Sequence, residues 1–194
     1  MNPRLPFVAA PLLVLAYGVI RILDGLDGSR GPGPAWTTGH LAFLAALALF
    51  VPTFLRMRRM AGRDAAATAS AAAGIAGIAA MAAQFAIDVV IGFLAADHAA
   101  MSVLFDRVQA VPGVSLVVYD GGPLLFFAGQ VAIVVRLALL GRVGAWVPVL
   151  VLVNVVLPLV DKDLIPLGAL CLLAAFTALS ARLPRPAVPA PAAA

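Results

Sequence analysis

The sequence predicts an all-α membrane protein, a bundle of about six transmembrane helices joined by short loops. Of its 194 residues, 63% are hydrophobic and only 11% are charged, and the mean hydropathy is +1.08. Soluble domains carry about 25% charged residues, because their surfaces face water. One bilayer crossing uses about 20 apolar residues, so this chain has room for about six crossings and no separate soluble domain.

Six apolar runs follow one another and define a single transmembrane domain over residues 1–183. The predicted spans are residues 6–23, 36–55, 67–96, 123–142, 146–160 and 164–181. The first run has an alternative interpretation as a cleaved signal peptide, because Arg4 precedes it. It lacks a clear small-residue cleavage site, which favours an uncleaved span. Residues 184–194 are rich in Pro and Ala and predict a disordered cytoplasmic tail.

The stretch between the third and fourth runs, residues 97–122, has a mixed composition. Its apolar residues recur at helical spacing, and its polar residues fall largely between them. The apolar set is Met101, Leu104, Phe105, Val108 and Val111. This pattern predicts a short amphipathic helix that lies on the membrane surface.

The distribution of charge predicts the orientation. With a cytoplasmic N-terminus, the inner loops and ends hold Arg4, Arg56, Arg58, Arg59, Arg63, Arg136, Arg142, Arg182 and Arg185, and the outer ones hold only Arg21, Arg30, Arg107 and Lys162. This alternation is the positive-inside pattern of six spans with both termini in the cytoplasm. Abundant Ala, Gly, Pro and Arg suggest a bacterial genome of high GC content, and hence the inner (plasma) membrane. The basic loops explain the net charge of +4, and we do not expect nucleic-acid binding.

Asp88 is the clearest ionisable residue inside a predicted span. It lies about 12 Å from the outer end of the third run, at the α-helical rise. Gln84 lies one turn before it on the same face. A charge inside lipid costs several kcal/mol unless it is paired, neutralised or hydrated, which makes Asp88 a candidate functional residue.

Two interpretations of this helix face remain open. In the first it is a packing seam: Ala69, Ala73 and Gly77 follow the small-xxx-small spacing that lets helices approach closely, and they predict a contact with a partner helix or a second copy. Gln84 and Asp88 would then hydrogen-bond to neighbouring helices. In the second interpretation Asp88 belongs to a buried site, as a proton carrier or cation ligand.

Other predicted spans also place polar groups in the outer half of the membrane. Gln130 and Asn154 lie about 9–12 Å below the outer surface, His40 lies near the outer start of the second span, and Arg21 lies near the outer end of the first. With Asp88 and Gln84, these residues form the predicted binding cluster, one polar pocket open to the outside. Equal depth does not establish that they face one another.

The sequence contains no catalytic motif that we trust. The single Cys171 excludes an intramolecular disulfide. His40 and His98 are the only histidines, and they lack the spacing of metal ligands. We therefore predict no catalytic residues, no metal site and no cofactor, and membrane lipids as partners.

Three functions follow as hypotheses. The first is a non-enzymatic accessory or scaffolding membrane subunit. The second is a small transporter or channel with its polar site around Asp88. The third is a membrane-embedded enzyme or a haem or metal protein that uses His40 or His98.

Overall fold

The computed structural model describes residues 2–183, and over that range the chain is helical without strands. The helices are α1 (Leu5–Asp24), α2 (Pro34–Met60), α3 (Ala65–Leu94), α4 (His98–Gln109), α5 (Gly122–Leu139), α6 (Trp146–Val160) and α7 (Ile165–Ala181). A π-helical segment, Ser115–Gly121, leads into α5, and a 3-10 turn, Lys162–Leu164, leads into α7. The predicted tail, residues 184–194, lies outside the described residues.

Five helical segments of the described chain are long and apolar enough to cross a membrane. They are α1, α2, α3, the unit Ser115–Leu139 and the unit Lys162–Ala181. The sixth apolar helix, α6, has 15 residues, which is about 22 Å at the α-helical rise. The prediction of an all-α fold is confirmed, and its apolar helices are those of a helical membrane bundle.

The long helices alternate in direction and pack in the order α1, α2, α3, α5, α6, α7, with α7 returning to α1. One end of the bundle carries α4, the α1–α2 loop and the 3-10 turn; we call it the α4 end. The other end carries the start of α1 and the end of α7; we call it the terminal end. Short connections between antiparallel neighbours produce this arrangement.

Polar contacts tie the helices together at the terminal end. The Arg4 guanidinium donates to the carbonyl oxygen of Leu183 at 3.2 Å, which joins the two ends of the described chain. Arg136 in the last turn of α5 forms an ion pair with Asp64 at 2.7 Å. Asp64 also caps α3 by accepting from the Ala67 amide at 2.7 Å. The contacts link α1 to α7 and α3 to α5.

The half of the bundle nearer the terminal end is filled by phenylalanine. Its fully buried rings include Phe7, Phe50, Phe54 and Phe176. The Phe50 ring centroid lies 5.1 Å from Phe126 and 6.0 Å from Phe176, both edge to face. This is a preferred geometry for aromatic pairs, and it closes the centre of the bundle.

Glycines allow α3 and α5 to cross with their backbones in contact. A methyl group at Gly129 would lie 2.5 Å from the Gly74 nitrogen, and one at Gly77 would lie 2.7 Å from the Gly122 carbonyl oxygen. Gly77, one of the small residues predicted to contact a partner, is therefore occupied by α5 of the same chain. Ala73 is partly exposed and Ala69 is exposed.

The stretch 97–122 differs from the predicted amphipathic segment in its second half. Only α4 matches the predicted helix, and Met101 is the buried residue of α4. Residues Ser115–Gly121 instead continue into α5, so the fourth apolar helical unit begins earlier than the predicted residue 123. In a continuous α-helix the Pro123 ring would clash with the preceding turn. The wider π-helical turn, in which the Gly122 amide donates to Val117, relieves that conflict.

Candidate ligand-binding cavity

A cavity of about 230 Å³ opens at the α4 end, between α1, α2 and α3. Its walls combine aromatic rings with polar and charged side chains. The polar and charged members are Tyr17, Arg21, Asp24, Arg30, His40, Gln84, Asp88 and Lys162. Such a mixture, apolar walls with a few converging polar groups, is typical of small-molecule sites.

Helical periodicity explains how three helices supply this lining. Tyr17 and Arg21 are four residues apart on α1, as are Trp36 and His40 on α2 and Gln84 and Asp88 on α3. Residues at that spacing stand one above the other on the same helix face. Each of the three helices therefore contributes two side chains, one helical turn apart, to the cavity wall.

His40 and Asp88 face each other inside the bundle. The His40 Nε2 and Asp88 Oδ2 atoms are 3.6 Å apart, and the two side chains are only 7% and 10% exposed. The other ring nitrogen, Nδ1, lies 2.7 Å from the carbonyl oxygen of Trp36. The Trp36 indole in turn donates to the carbonyl oxygen of Asp88 at 2.9 Å. These contacts fix α2 and α3 around the pair.

The contact with Trp36 assigns one hydrogen of His40. A carbonyl oxygen only accepts hydrogen bonds, so His40 Nδ1 donates to it. Nε2 is the nitrogen that faces Asp88 Oδ2.

The π-helical segment brings the hydroxyl of Tyr119 near Asp88. Tyr119 lies close enough to the Asp88 carboxylate to interact with it. The Tyr119 hydroxyl and Asp88 Oδ1 are both buried, and neither has a hydrogen-bond partner within residues 2–183. Short π-helical turns occur frequently at functional sites.

Charged residues surround the mouth of the cavity. The Arg30 guanidinium donates to both carboxylate oxygens of Asp163 at 2.9 Å, and Arg21 lies 3.8 Å from the same carboxylate. His98 of α4 contacts the Arg30 carbonyl oxygen at 2.7 Å through Nδ1. Lys162 lines the mouth without an ion-pair partner among the described residues. The α1–α2 loop is thus held against α4 and the 3-10 turn.

Aromatic rings enclose the His40 imidazole. Its centroid lies 4.1 Å from the Trp36 ring, 5.2 Å from Phe85 and 5.7 Å from Tyr17. Phe85 stacks on Phe43 at 4.2 Å. The rings limit the water that reaches the His40–Asp88 pair, which strengthens electrostatic interactions there.

The structure brings together four of the six residues in the predicted binding cluster: Asp88, Gln84, His40 and Arg21 line this cavity. Gln130 and Asn154 are not among its lining residues. Gln130 is fully buried in α5, and Asn154 in α6 packs against Gly168 of α7. Their predicted depth in the membrane is similar to that of Asp88, but their side chains face other neighbours.

Several lining residues were not among the predicted site residues. The charge pattern places Arg30 and Lys162 in the outer loops, and Tyr17 and Trp36 lie within the predicted apolar spans. One signal was available: Arg30 and Asp163, in loops on the same predicted side, have opposite charge. Opposite charges in two loops on one side of a membrane favour contact between those loops.

His40 and His98 take part in separate contacts. Among residues 2–183, no group of three or more histidine, cysteine and acidic side chains lies close enough together to hold a metal ion.

No family model, curated protein or solved structure matches this chain.

Proposed function

We propose that this protein is a small multi-pass transporter of the bacterial inner membrane, with its solute site in the cavity around Asp88. One observation carries the proposal: a polar cavity lies inside an apolar helical bundle, with the buried His40–Asp88 pair in its wall. Buried ionisable pairs within membrane helices mark ion and proton pathways in transporters.

In this proposal the chain crosses the membrane six times, with the α4 end outside and both termini in the cytoplasm. The basic cluster at the end of α2 supports that orientation, because arginine is enriched on the cytoplasmic side. The cavity is then open to the outside, and the buried phenylalanines close the path to the cytoplasm. Transport requires a second state in which this closure is reversed.

An exposed surface of α3 favours a second candidate function, that of an accessory membrane subunit. A stripe of exposed alanines runs along α3: Ala65, Ala69, Ala72, Ala76, Ala79, Ala83 and Ala86. Small residues allow a neighbouring helix to approach closely. This stripe, which shares Ala69 with the predicted partner face, would contact a second copy or another membrane subunit.

Proton flux in proteoliposomes tests the transporter proposal. Purified protein is reconstituted with a pH-sensitive dye inside, and a potassium diffusion potential drives proton entry. Wild-type vesicles are expected to acidify, and Asp88→Asn is expected to abolish the acidification, because the neutral amide cannot exchange a proton. Asp106→Asn, on the exposed face of α4, is the matched control and retains wild-type flux. Equal flux in Asp88→Asn and wild type would contradict the proposal.

A further inference from the structure

We infer that the terminal end of the bundle binds an anionic phospholipid, with its phosphate held by Arg4 and Arg56 and its acyl chains along exposed leucines of α1 and α2. The inference goes beyond the proposed transport function and is independent of it. It stands on the distribution of charge at this end, on the contacts of the two arginines and on the apolar surface beside them.

Positive charge is concentrated at the terminal end. Of the nine acidic residues in the chain, only Asp64 lies there, and it forms an ion pair with Arg136. The other arginines of this end have no carboxylate partner within residues 2–183. They are Arg4, Arg56, Arg58, Arg59, Arg63, Arg142 and Arg182. An end with so little negative charge attracts the anionic lipids of a bilayer surface.

Arg4 and Arg56 keep their charges in a partly buried place. The Arg56 guanidinium donates to the carbonyl oxygen of Pro3, and the Arg4 guanidinium donates to that of Leu183 at 3.2 Å. A carbonyl oxygen carries no net charge, and a guanidinium has five N–H donors, so both arginines retain donors for an anion. Arg4 Nε is buried without a hydrogen-bond partner within residues 2–183. A phosphate matches these donors, because guanidinium groups bind phosphate oxygens in pairs.

Helix dipoles explain several basic residues of this end but not Arg4. Arg58 and Arg59 lie in the last turn of α2, and Arg182 follows the last residue of α7. The carboxyl end of a helix has negative partial charge, which stabilises cations. Arg4 instead precedes the first turn of α1, where the partial charge is positive. A bound anion would offset that unfavourable interaction.

The surface beside the two arginines is apolar, which favours a lipid over a soluble anion. Leu5 follows Arg4 and is 50% exposed, and Leu55 precedes Arg56 and is 38% exposed. Leu12 lies two turns beyond Leu5 on the same face of α1 and is also exposed. Since α1 and α2 are packed neighbours, cations and exposed leucines occur together, as the phosphate and the acyl chains of a phospholipid require.

Thermal unfolding in mixed micelles tests the choice of lipid. The protein in dodecyl maltoside is titrated with phosphatidylglycerol or with zwitterionic phosphatidylcholine at the same mole fraction. A ligand that binds only the folded state raises the unfolding temperature. At about ten times its dissociation constant, phosphatidylglycerol is expected to raise it by about 4 °C more than phosphatidylcholine does. Equal shifts from the two lipids would overturn the inference.

Variants test the assignment of the phosphate to the two arginines. Arg4→Gln and Arg56→Gln are each expected to raise the phosphatidylglycerol concentration at half-maximal shift about fivefold. Each variant is compared with itself in the two lipids, so that a loss of intrinsic stability is not mistaken for a loss of binding. If a glutamine variant does not fold, Arg4→Lys and Arg56→Lys keep the charge but not the paired donors, and weaker binding is again expected.

The matched control is Arg142→Gln. It removes an exposed cation of the same end, in the loop between α5 and α6, which lies across the bundle from α1 and α2. This variant is expected to respond to phosphatidylglycerol as wild type does. An equal loss in Arg142→Gln, Arg4→Gln and Arg56→Gln would show a diffuse attraction to the basic end and would overturn the assignment.

Glycerol 3-phosphate and inorganic phosphate distinguish a lipid from a soluble anion. Both carry the phosphate chemistry without acyl chains, and neither is expected to shift the unfolding temperature at the concentration where phosphatidylglycerol saturates. A shift equal to that of phosphatidylglycerol would identify a site for soluble phosphate and would overturn the lipid. The unfolding assay needs no transport, so its outcome and that of the proton-flux assay are separate.

Discussion

The two halves of the bundle are built on different principles. The half nearer the terminal end is packed with buried phenylalanine, and its ion pair and carbonyl contacts lie at the helix ends, where water is close. The half nearer the α4 end surrounds a cavity and buries His40 and Asp88 within it. The first arrangement stabilises the fold. The second places ionisable groups where their burial is costly, which points to a functional role.

The largest expected effect comes from the packed half. Phe50→Ala removes a ring that contacts Phe126 and Phe176, and the resulting void is expected to cost about 3 kcal/mol or more. Thermal unfolding in detergent measures the loss. Leu167→Ala, at a half-exposed position of α7, is the control and should unfold close to the wild-type temperature. Equal losses in the two variants would contradict the assignment of Phe50 to the core.

Gln130 tests the comparison between the two halves further, because it is a polar residue in the packed region. It is fully buried, and neither atom of its amide group has a hydrogen-bond partner within residues 2–183. Gln130→Met preserves the shape of the side chain and is expected to stabilise the protein by about 1 kcal/mol, since an unsatisfied buried amide is costly. The same unfolding assay measures it. Destabilisation by Met would show that the amide has an essential partner.

The smallest expected effect is at the surface of the terminal end. Asp64 accepts from the Ala67 amide and pairs with Arg136, and these contacts hold its carboxyl pKa below the usual value of about 3.8. A depressed carboxyl pKa contributes stability that is present above the unfolded value and is lost as pH falls through the folded value. Unfolding temperatures measured down to about pH 3 should therefore fall less steeply in Asp64→Asn than in wild type. Parallel profiles would show that the Asp64 carboxylate does not contribute to the pH dependence of stability.

Most of the fold could be predicted from hydropathy and charge. Runs of apolar residues bounded by arginine or aspartate predicted the helices, and α6 has the predicted bounds, Trp146–Val160. The π-helical segment was missed, because Pro123 normally marks the start of a helix and Ser115–Gly121 looked like part of a surface stretch. A proline is tolerated there only because the preceding turn widens, which is a feature of three-dimensional packing.

The depth of each site residue in the membrane could be predicted from the sequence, but the direction in which its side chain points could not. The fixed rise of a helix gives the depth of each residue from the sequence. Its rotation about the helix axis depends on which neighbours it packs against, and the order of the helices cannot be read from one sequence. Asp88 and His40 therefore converge, while Gln130 and Asn154, at similar predicted depth, face other contacts.

The contrast between the two halves predicts that the buried pair costs stability and supports transport. A double variant, His40→Phe with Asp88→Leu, replaces it with apolar side chains of similar size. Such replacements of buried ion pairs are often neutral or stabilising by about 1–4 kcal/mol.

Thermal unfolding and proton flux measured on the same preparation of this double variant test the central claim most directly. We predict an unfolding temperature equal to or above that of wild type, together with loss of Asp88-dependent acidification. A variant that unfolds at a lower temperature and retains wild-type flux would show that the pair serves only to stabilise the contact between α2 and α3. That result would contradict a functional site at the α4 end.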